Sequence, residues 1–518
     1  MGDEPTKTTN RSKTLSTSDD EIITTQTFPR LYLETPAKAQ ELVNKVSGVQ
    51  ISRISSELPQ YLLKKNVAAE LRSKWQVPAA APYTFFKTYG GALDEYAWAI
   101  TKTVDGNYIF GGRSWSYPQL NVPLLLIKVN DYGEIIWAKI YGGGGVEWIR
   151  GLKQHPNGGY ILAGYSTSSS AGDRDILILH ISENGAVNWA RVIGTTARDE
   201  GRFAYVTPDG GVIILGFTWA YGATTPQPLI IKLDPNLNIQ YAYVYQFSES
   251  TYLWGFIPTL DGNYLAIGAQ MINEPPWDYG IAVKVNSSAD FIWARRVSGD
   301  DSIRFIDCEQ LNTGEYVIVG YSYAFKLTDA DILVTKMTAT GSLTKTVILG
   351  GSGTDFAYKV IQDSEQNIVC CGVSASYSEG SMQGAMCKLD GNLSLIHFSY
   401  LGGPPTGEQW EELRDLCESH DGGYIFTGYS PRYGYLDYDY ILIKTNRQLQ
   451  MEDCAIIRSA TPSVMEVSPN VTELTPTIID VKTSLQINTP NYVSYDVSPI
   501  VRVGCPIKGW DAYMEEEH

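Results

Sequence analysis

The chain has 518 residues, of which 43% are hydrophobic and 12% aromatic, with 48 glycines and a formal charge of −17 at pH 7. This composition excludes a chain that is disordered throughout, and the acidity argues against a surface built for nucleic-acid phosphates, which draws on clustered lysine and arginine. No apolar run is long enough for a transmembrane helix, and the polar first residues do not resemble a signal peptide.

The first 82 residues divide into two segments of different composition. Residues 1–30 form a polar, threonine-rich leader, for which the composition predicts disorder. In residues 31–82 apolar side chains recur at helical spacing after Pro36, and a stretch rich in proline and alanine follows. We therefore predict a short helical segment and a linker ahead of the main domain.

A motif that ends in glycine recurs through residues 83–454. Five successive spacings are 52 residues and the last is 56, and the glycines are Gly112, Gly164, Gly216, Gly268, Gly320, Gly372 and Gly428. Each unit contains four short strand-like stretches separated by turn residues, which in the first unit are 96–101, 108–112, 124–130 and 135–141. Seven units of four antiparallel strands predict an all-β fold, a seven-bladed β-propeller.

The fourth stretch of the unit indicates how the ring closes. It carries an aromatic residue in four units, Trp137, Trp189, Tyr241 and Trp293, which we expect to pack one sheet against the next. The seventh unit lacks this stretch, but residues 84–91 have its pattern, and Phe85 lies 52 residues before Trp137. We predict that this N-terminal strand completes the seventh blade, because closure hides strand edges that would otherwise invite aggregation.

Residues 455–518 differ from the repeats in composition, because prolines separate short stretches in which apolar and polar residues alternate. The first three prolines, Pro462, Pro469 and Pro476, are seven residues apart. This predicts an extended β arm or a small strand-rich module, with proline at strand boundaries because it cannot donate to a sheet. Cys454 and Cys505 bracket the segment and could form a disulfide clasp, with free thiols as the equal alternative. Four further cysteines take places held by leucine or isoleucine in other units and should be buried thiols: Cys308, Cys370, Cys371 and Cys387.

Taken together, the repeated motifs resemble a known group of proteins. Asp-Gly-Gly-Tyr-Ile-x-x-Gly at 421–428, Leu-Ile-Lys-x-Asn at 126–130 and the stretch from Gly133 through Trp137 to Gly142 are similar to repeats of prokaryotic, especially archaeal, extracellular β-propeller proteins. Residues 184–189 also resemble the Trp-docking repeats of quinoprotein dehydrogenases, which typically have eight blades. Since this chain has seven units, we predict no quinone and no other cofactor. A tyrosine-rich propeller with added terminal segments and no export signal also resembles a virion component of an archaeal virus.

One candidate site lies 17 residues before each repeat glycine, where five of the seven units carry an acidic residue: Glu95, Glu147, Asp199, Asp355 and Glu411. These residues precede the innermost strand, so they could form an acidic ring at one mouth of the central channel and bind a cation or a basic partner segment. The alternative, which we favour, is that each carboxylate accepts hydrogen bonds from turn amides. Three residues further on, six residues are assigned to packing and salt bridges between blades: Trp98, Arg150, Arg202, Trp254, Tyr358 and Arg414.

A second candidate set consists of aromatic residues just after the second strand, Trp115, Trp219 and Trp277. If exposed they would stack on sugars, whereas if buried they would cover the blades. Asp-x-Asp pairs before the third strand, such as Asp173 and Asp175, lack the further ligands of a calcium loop and are assigned to turn capping. The sequence contains no motif of a known catalytic or metal centre, so we predict no catalytic residue and no metal.

These observations favour a non-enzymatic structural or interaction protein, a propeller scaffold attached to a larger assembly through residues 1–82 and 455–518. The assembly would be a virion or a cell-surface structure, and we expect an extracellular particle rather than the cytoplasm. The alternative is a carbohydrate-binding propeller, or a propeller enzyme, that uses the channel mouth. Partners are expected to be proteins, or else glycans, with no nucleic acid and no membrane span.

Overall fold

The computed structural model describes residues 83–222, 225–272, 277–326, 328–377, 382–402, 410–432, 437–451, 454 and 456–503. All of them belong to the compact unit that spans Pro82–His518. The predicted leader and the predicted helical segment and linker, residues 1–82, lie outside the described residues.

The described residues form seven antiparallel sheets of five strands, which are the blades of a β-propeller. The predicted fold class is therefore confirmed. Strand β1 (Phe85–Gly90) comes first in the chain. Blades 1 to 3 follow with β2 (Glu95–Lys102), β3 (Tyr108–Ser114), β4 (Leu124–Val129), β5 (Ile135–Gly142), β6 (Glu147–Gln154), β7 (Tyr160–Ser166), β8 (Asp175–Ile181), β9 (Val187–Gly194), β10 (Asp199–Val206), β11 (Val212–Thr218), β12 (Gln227–Leu233) and β13 (Ile239–Gln246).

Blades 4 to 6 repeat this order, and blade 7 supplies three further strands. They are β14 (Ser250–Pro258), β15 (Tyr264–Met271), β16 (Asp278–Val285), β17 (Phe291–Ser298), β18 (Ile303–Gln310), β19 (Tyr316–Ser322), β20 (Asp331–Met337), β21 (Leu343–Gly350), β22 (Asp355–Gln362), β23 (Ile368–Ser374), β24 (Gln383–Leu389), β25 (Leu395–Leu401), β26 (Glu412–Glu418), β27 (Tyr424–Ser430) and β28 (Asp439–Thr445). A short 3-10 helix, Pro118–Leu120, lies between β3 and β4.

Burial differs systematically among the strands of a blade. The second and third strands, such as β7 and β8, are buried along almost their whole length because neighbouring blades cover both of their faces. First and fourth strands alternate between buried and partly exposed residues. First strands of adjacent blades contact each other around the ring, so they surround the central channel.

The N-terminal strand closes the ring as predicted. β1 pairs with β28 in antiparallel register from Phe85 opposite Lys444 to Tyr89 opposite Tyr440. The fourth-strand aromatic residues also link blades as expected, because Trp137 Nε1 donates a hydrogen bond of 3.1 Å to the carbonyl oxygen of Glu183 in blade 2.

Two of the repeated motifs meet at the turn between the first and second strands of a blade. In six blades a lysine on the third strand reaches an acidic residue of the turn between the first two strands, whereas blade 2 has His180 in place of the lysine. Lys128 Nζ is 2.7 Å from Asp105 Oδ2, and Lys284 Nζ is 2.5 Å from Asp261 Oδ2. In this turn the motif glycine takes a positive φ, 84° at Gly422, a conformation that favours glycine. This part of the motif is therefore architectural.

Residues 457–503, which we call the belt, add the fifth strand to every blade. The belt strands are β29 (Ile457–Ser459), β30 (Ser463–Val467), β31 (Asn470–Leu474), β32 (Thr477–Asp480), β33 (Gln486–Asn488), β34 (Val493–Asp496) and β35 (Ile500–Val503). They pair with the fourth strands of blades 6, 5, 4, 3, 2, 1 and 7 in that order, so the belt runs round the ring against the direction of the blades. The regularly spaced prolines lie just before β30, β31 and β32, where the chain passes from one blade to the next. The structure thus confirms a β-rich arm, in its extended form.

The belt is anchored beside its beginning and in its middle. Cys454, just before β29, is disulfide-bonded, whereas its predicted partner Cys505 lies outside the described residues. Between β33 and β34 the Tyr492 hydroxyl lies within hydrogen-bonding distance of Glu147 Oε1, at 3.1 Å, and of Ser166 Oγ, at 2.9 Å. The four cysteines predicted as core residues are buried free thiols, as expected.

Candidate functional site at the channel mouth

A β-bulge interrupts the first strand of every blade. The pairing of first with second strand skips one residue each time. The skipped residues, which we call the bulge ring, are Trp98, Arg150, Arg202, Trp254, Ile306, Tyr358 and Arg414. Each is partly exposed and follows a fully buried residue. Because a bulge re-aims its side chain, these seven residues line the channel.

Arginine and aromatic side chains alternate in close contact around part of this ring. The Arg150 guanidinium carbon lies 4.0 Å from the Trp98 ring centroid, and that of Arg414 lies 4.4 Å from the same centroid. Arg414 also lies 4.1 Å from the Tyr358 ring centroid. These are distances at which a cation is attracted to the face of an aromatic ring.

Buried carboxylates neutralise most of the arginines at this mouth. Glu200 Oε1 is 2.9 Å from Arg174 Nη1 and accepts a bond from Arg198, and its Oε2 is 3.1 Å from Arg202 Nη2. Although burial acts to raise it, the pKa of Glu200 is held below its usual range by these arginines. Arg414 pairs in the same way with Glu412.

Two arginines at the mouth differ from these because they pair with no carboxylate in the described part of the chain. Arg113 lies between Trp115 and Trp148, with its guanidinium carbon 4.3 Å from each ring centroid. Arg150 lies 5.1 Å from the centroid of Trp148. The Nε atoms of both arginines are buried without a hydrogen-bond partner among the described residues. Burial, and then the positive charges of Arg202 and Arg414, hold the pKa of Arg150 well below its usual value.

The channel wall below the bulge ring carries charges of both signs. Lys359 Nζ lies 3.0 Å from Asp307 Oδ2 and 4.0 Å from Asp415 Oδ1. These carboxylates also bridge blades, since Asp307 accepts the amide of Val360 and Asp415 that of Ile100. A cavity of about 340 Å³ opens among blades 1 to 3 at this end, lined by Thr101, Lys153, Gln154, Pro156, Ile161, Tyr205 and Val206.

The five candidate residues of the acidic ring all lie below the surface. Each stands at or just before the start of a first strand and is at most 1% exposed. Glu95 accepts hydrogen bonds from the Gly91 amide at 2.9 Å and from Ser114 Oγ at 2.6 Å. Asp199 accepts the Thr195 amide at 2.7 Å, and Glu147 and Asp355 make equivalent bonds to Gly143 and Gly351. These bonds are the ones that the favoured alternative describes.

Each acidic residue is accompanied by a glycine five residues earlier, or nine earlier for Glu411, at the end of a fourth strand. A β-carbon on Gly90 would lie 2.8 Å from Glu95 Oε2, and one on Gly350 would lie 2.7 Å from Asp355 Oδ2. In the two blades where the acidic residue is replaced, by Thr251 and Ile303, the glycine is replaced as well, by Gln246 and Ser298. The Gly-Gly motif and the acidic residue therefore form one architectural unit.

Burial governs the charge state of this unit. The Asp175 carboxylate, at the start of a third strand, has its pKa raised to about 6 by burial, with a further contribution from Asp199. Burial raises the pKa of Glu411 to about 7. Asp175 accepts the amide of Ala171 at 2.6 Å, in line with the turn-capping role assigned to it. In the described ranges, no three or more His, Cys, Asp or Glu side chains are grouped to hold a metal ion.

The three candidate loop aromatics have different surroundings. Trp115 is partly buried against Arg113. Trp219 is partly buried with the Arg198 guanidinium carbon 4.5 Å from its ring centroid. Trp277 is 53% exposed. The structure therefore brings Trp115 and Trp219 into the arginine–aromatic mouth, and Trp277 alone presents most of its ring to solvent.

Sequence patterns missed the carboxylates that balance the mouth, Glu200 and Glu412. Each directly follows an acidic-ring residue and stands two residues before an arginine of the bulge ring. The doublets Asp199-Glu200 and Glu411-Glu412 are the signal that could have identified them.

No family model matches the chain, and no curated protein does. Among solved structures, the chain is similar to Sqt1 from Chaetomium thermophilum, at 9% identity over 69% of this chain and 97% of that one, with a TM-score of 0.38. It is also similar to a putative gluconolactonase, at 10% identity over 71% and 94% of the two chains with a TM-score of 0.30. An endo-arabinase from Bacteroides thetaiotaomicron matches at 13% identity over 63% and 100%, with a TM-score of 0.27. At these values we assign no activity, ligand or partner to this chain from its neighbours.

Proposed function

We propose that the protein is a non-enzymatic structural and interaction protein, a rigid propeller disc held in a larger assembly such as a virion or cell-surface structure. The observation that carries this proposal is the belt, which adds an outer strand to all seven blades. Neighbouring blades are thereby joined at their outer edges by one continuous segment as well as at the channel. Such bracing suits a part that bears mechanical or assembly contacts.

The outer side of the belt is a suitable surface for those contacts. Each belt strand is the edge strand of its sheet, and edges with unpaired backbone groups can accept a partner. Eight large apolar side chains of the belt are exposed: Val464, Met465, Val471, Ile478, Tyr495, Ile500, Val501 and Val503. Exposed apolar side chains that form a contiguous patch mark protein interaction surfaces. We propose attachment through this surface and through residues 1–82, in an extracellular particle rather than the cytoplasm.

Crosslinking and native mass spectrometry of the full chain purified from its source would test this function. We expect protein partners crosslinked to the belt near Lys482, and their loss in the variant Val471→Glu. Leu260→Glu is the matched control, because Leu260 is exposed on a turn of blade 4 away from the belt. A chain that purifies without any protein partner would contradict the proposal.

A carbohydrate-binding function is the second candidate, and the exposure of Trp277 favours it. An open indole face can stack on a sugar ring. Binding on a glycan array that Trp277→Ala abolishes and Trp219→Ala preserves would support this candidate. No helix within the described stretches has the length and apolar character needed to span a membrane.

A further inference from the structure

Three blades place an arginine at the bulge, and comparison among them isolates one arginine. In blades 3 and 7 the residue two positions before the bulge is a glutamate, and it pairs with the bulge arginine: Glu200 with Arg202, and Glu412 with Arg414. In blade 2 the corresponding position holds Trp148, and the bulge residue Arg150 pairs with no carboxylate among the described residues.

The surroundings of Arg150 compensate its charge only in part, through the Trp98 ring and without an ion pair to a described residue. It makes no hydrogen bond or ion pair with any described residue, and its Nε is buried. Among the charged groups around it, Arg202 and Arg414 repel it most strongly, and Glu200 attracts it more weakly from a distance. A second arginine without a carboxylate, Arg113, contacts the same Trp148 ring. A partly buried cation in this position is costly unless a counter-charge approaches it.

We propose that a carboxylate of a partner protein's acidic segment enters the channel mouth and pairs with Arg150, in the place that Glu200 and Glu412 occupy in blades 3 and 7. This inference rests on the proposed interaction function and names the chemistry of the partner. The proposed partner is acidic, whereas an acidic ring at the mouth would have favoured a basic partner. The difference arises because the acidic residues are buried while arginines line the channel.

A carboxylate fits this place better than other anions. Arg150 lies over Trp98, and a stacked guanidinium keeps its edge free to donate two parallel bonds to a planar acceptor. In the same ring Arg202 and Arg414 each pair with a glutamate carboxylate through Nη2. Trp98, Trp148 and Tyr96 provide apolar surface beside the charge, which suits the side chains of a peptide.

Fluorescence anisotropy with a labelled hexaglutamate peptide and the full-length chain tests the proposal. We expect binding that weakens with added salt. Arg150→Gln should weaken it by about tenfold or more, since hydrogen bonds between charged groups are among the strongest in proteins. Lys326→Gln removes the same charge from an exposed loop of blade 5, outside the belt and the bulge ring, and should leave binding unchanged.

Two variants at position 148 separate the missing charge from the ring itself. Trp148→Glu restores the carboxylate found in blades 3 and 7 and should reduce peptide binding as strongly as Arg150→Gln. Trp148→Gln removes the ring equally but adds no charge, so it should bind more tightly than Trp148→Glu.

Three results would overturn the proposal: no hexaglutamate binding, equal binding by the parent and Arg150→Gln, or preferential binding of an oligoglucuronate or of inorganic phosphate. If protein partners are still crosslinked to the belt in that case, only the site assignment fails. If no partner is found at all, the proposed function fails with it.

Discussion

The Tyr89 hydroxyl donates a hydrogen bond of 2.6 Å to the carbonyl oxygen of Gly133, and thereby ties the N-terminal strand of blade 7 to blade 1. Tyr141 makes the same bond of 2.8 Å to Gly185, between blades 1 and 2. Ring closure therefore uses the contact that joins other neighbouring blades. The N-terminal strand is not an accessory but the fourth strand of a blade whose other three strands lie more than 300 residues away in the chain.

Two truncations should behave very differently on either side of this strand. A chain that begins at Tyr83 keeps β1, and we expect it to melt like the parent propeller. A chain that begins at Ala92 loses the ladder to β28 and the buried Phe86 and Tyr89. Removing a buried aromatic side chain typically costs about 3–5 kcal/mol, so this second chain should unfold or aggregate at room temperature. Circular dichroism melting checks both, and equal melting of the two truncations would contradict closure by β1.

The number of blades and the closing strand could be predicted from the sequence because both follow from the regular spacing of similar residues. Phe85 lies one repeat length before Trp137, and no three-dimensional information is needed to see it. The path of the belt could not be predicted in this way, since strand pairs such as Val464 with Leu349 join residues that share no repeat. The prolines marked the spacing of the belt strands but not their partners.

The bulge ring could not be predicted from the sequence for a different reason. Arg150 and Leu152 are two residues apart, so a regular strand would place their side chains on the same face. The bulge at Arg150 changes this arrangement, and it is a feature of the backbone pairing that the residue pattern does not reveal. Ile306, the seventh member of the ring, has an ordinary core residue type and gives no signal. The burial of Glu95 and its equivalents could not be predicted from sequence alone, although turn capping was the favoured interpretation. An acidic residue before a strand suits either a solvent-facing ring or a turn cap.

Gly350→Ala should destabilise the ring strongly. An added β-carbon at this position would lie 2.7 Å from Asp355 Oδ2 and would collide with Asp331 Oδ1, and both carboxylates are fully buried. Overpacking of this kind costs roughly 1–3 kcal/mol or more. The matched control is Ser298→Ala, since Ser298 holds the same place in blade 4, beside Ile303. Chemical denaturation should show a loss for Gly350→Ala and almost none for Ser298→Ala; equal effects would contradict the pairing of glycine with the acidic residue.

The buried carboxyl groups should make the protein more stable in mild acid than at pH 8. Burial raises the pKa of Asp175 to about 6 and that of Glu411 to about 7, whereas an exposed carboxyl group titrates near pH 4. Between these values the folded state binds more protons than the unfolded state, so the contribution of these groups is lost as the pH rises through 6 and 7. Other carboxylates act in the opposite direction at lower pH, since Asp209 and Asp261 have pKa values lowered to about 2.

The two buried carboxyl groups therefore contribute a rise in the melting temperature as the pH falls from 8 to 5, and the low-pKa carboxylates contribute a drop below about pH 4. Four histidines, whose pKa values burial lowers, oppose the rise: His155, His180, His397 and His420. In the double variant Asp175→Asn, Glu411→Gln the rise between pH 8 and 5 should be smaller, because two of the titrating groups are gone. Scanning calorimetry across this range measures both. Equal pH dependence of the parent and the double variant between pH 8 and 5 would contradict the assignment.

Reduction of the Cys454 disulfide should loosen the belt at its beginning. Cys454 precedes β29, which has only three residues, pairs with Ser399, Tyr400 and Leu401 and is mostly exposed. So short a strand has few contacts of its own, and the covalent bond restricts the freedom of the chain beside it. Disulfides typically contribute about 2–4 kcal/mol. Hydrogen exchange at the amides of β25 and β29 should therefore become faster when the protein is reduced.

In Cys454→Ser the exchange should be fast from the outset and should not change when the reductant is added, which also controls for the buried free thiols. If the reductant leaves exchange in the parent unchanged, the disulfide does not hold the belt, and the short pairing of β29 with blade 6 is sufficient by itself.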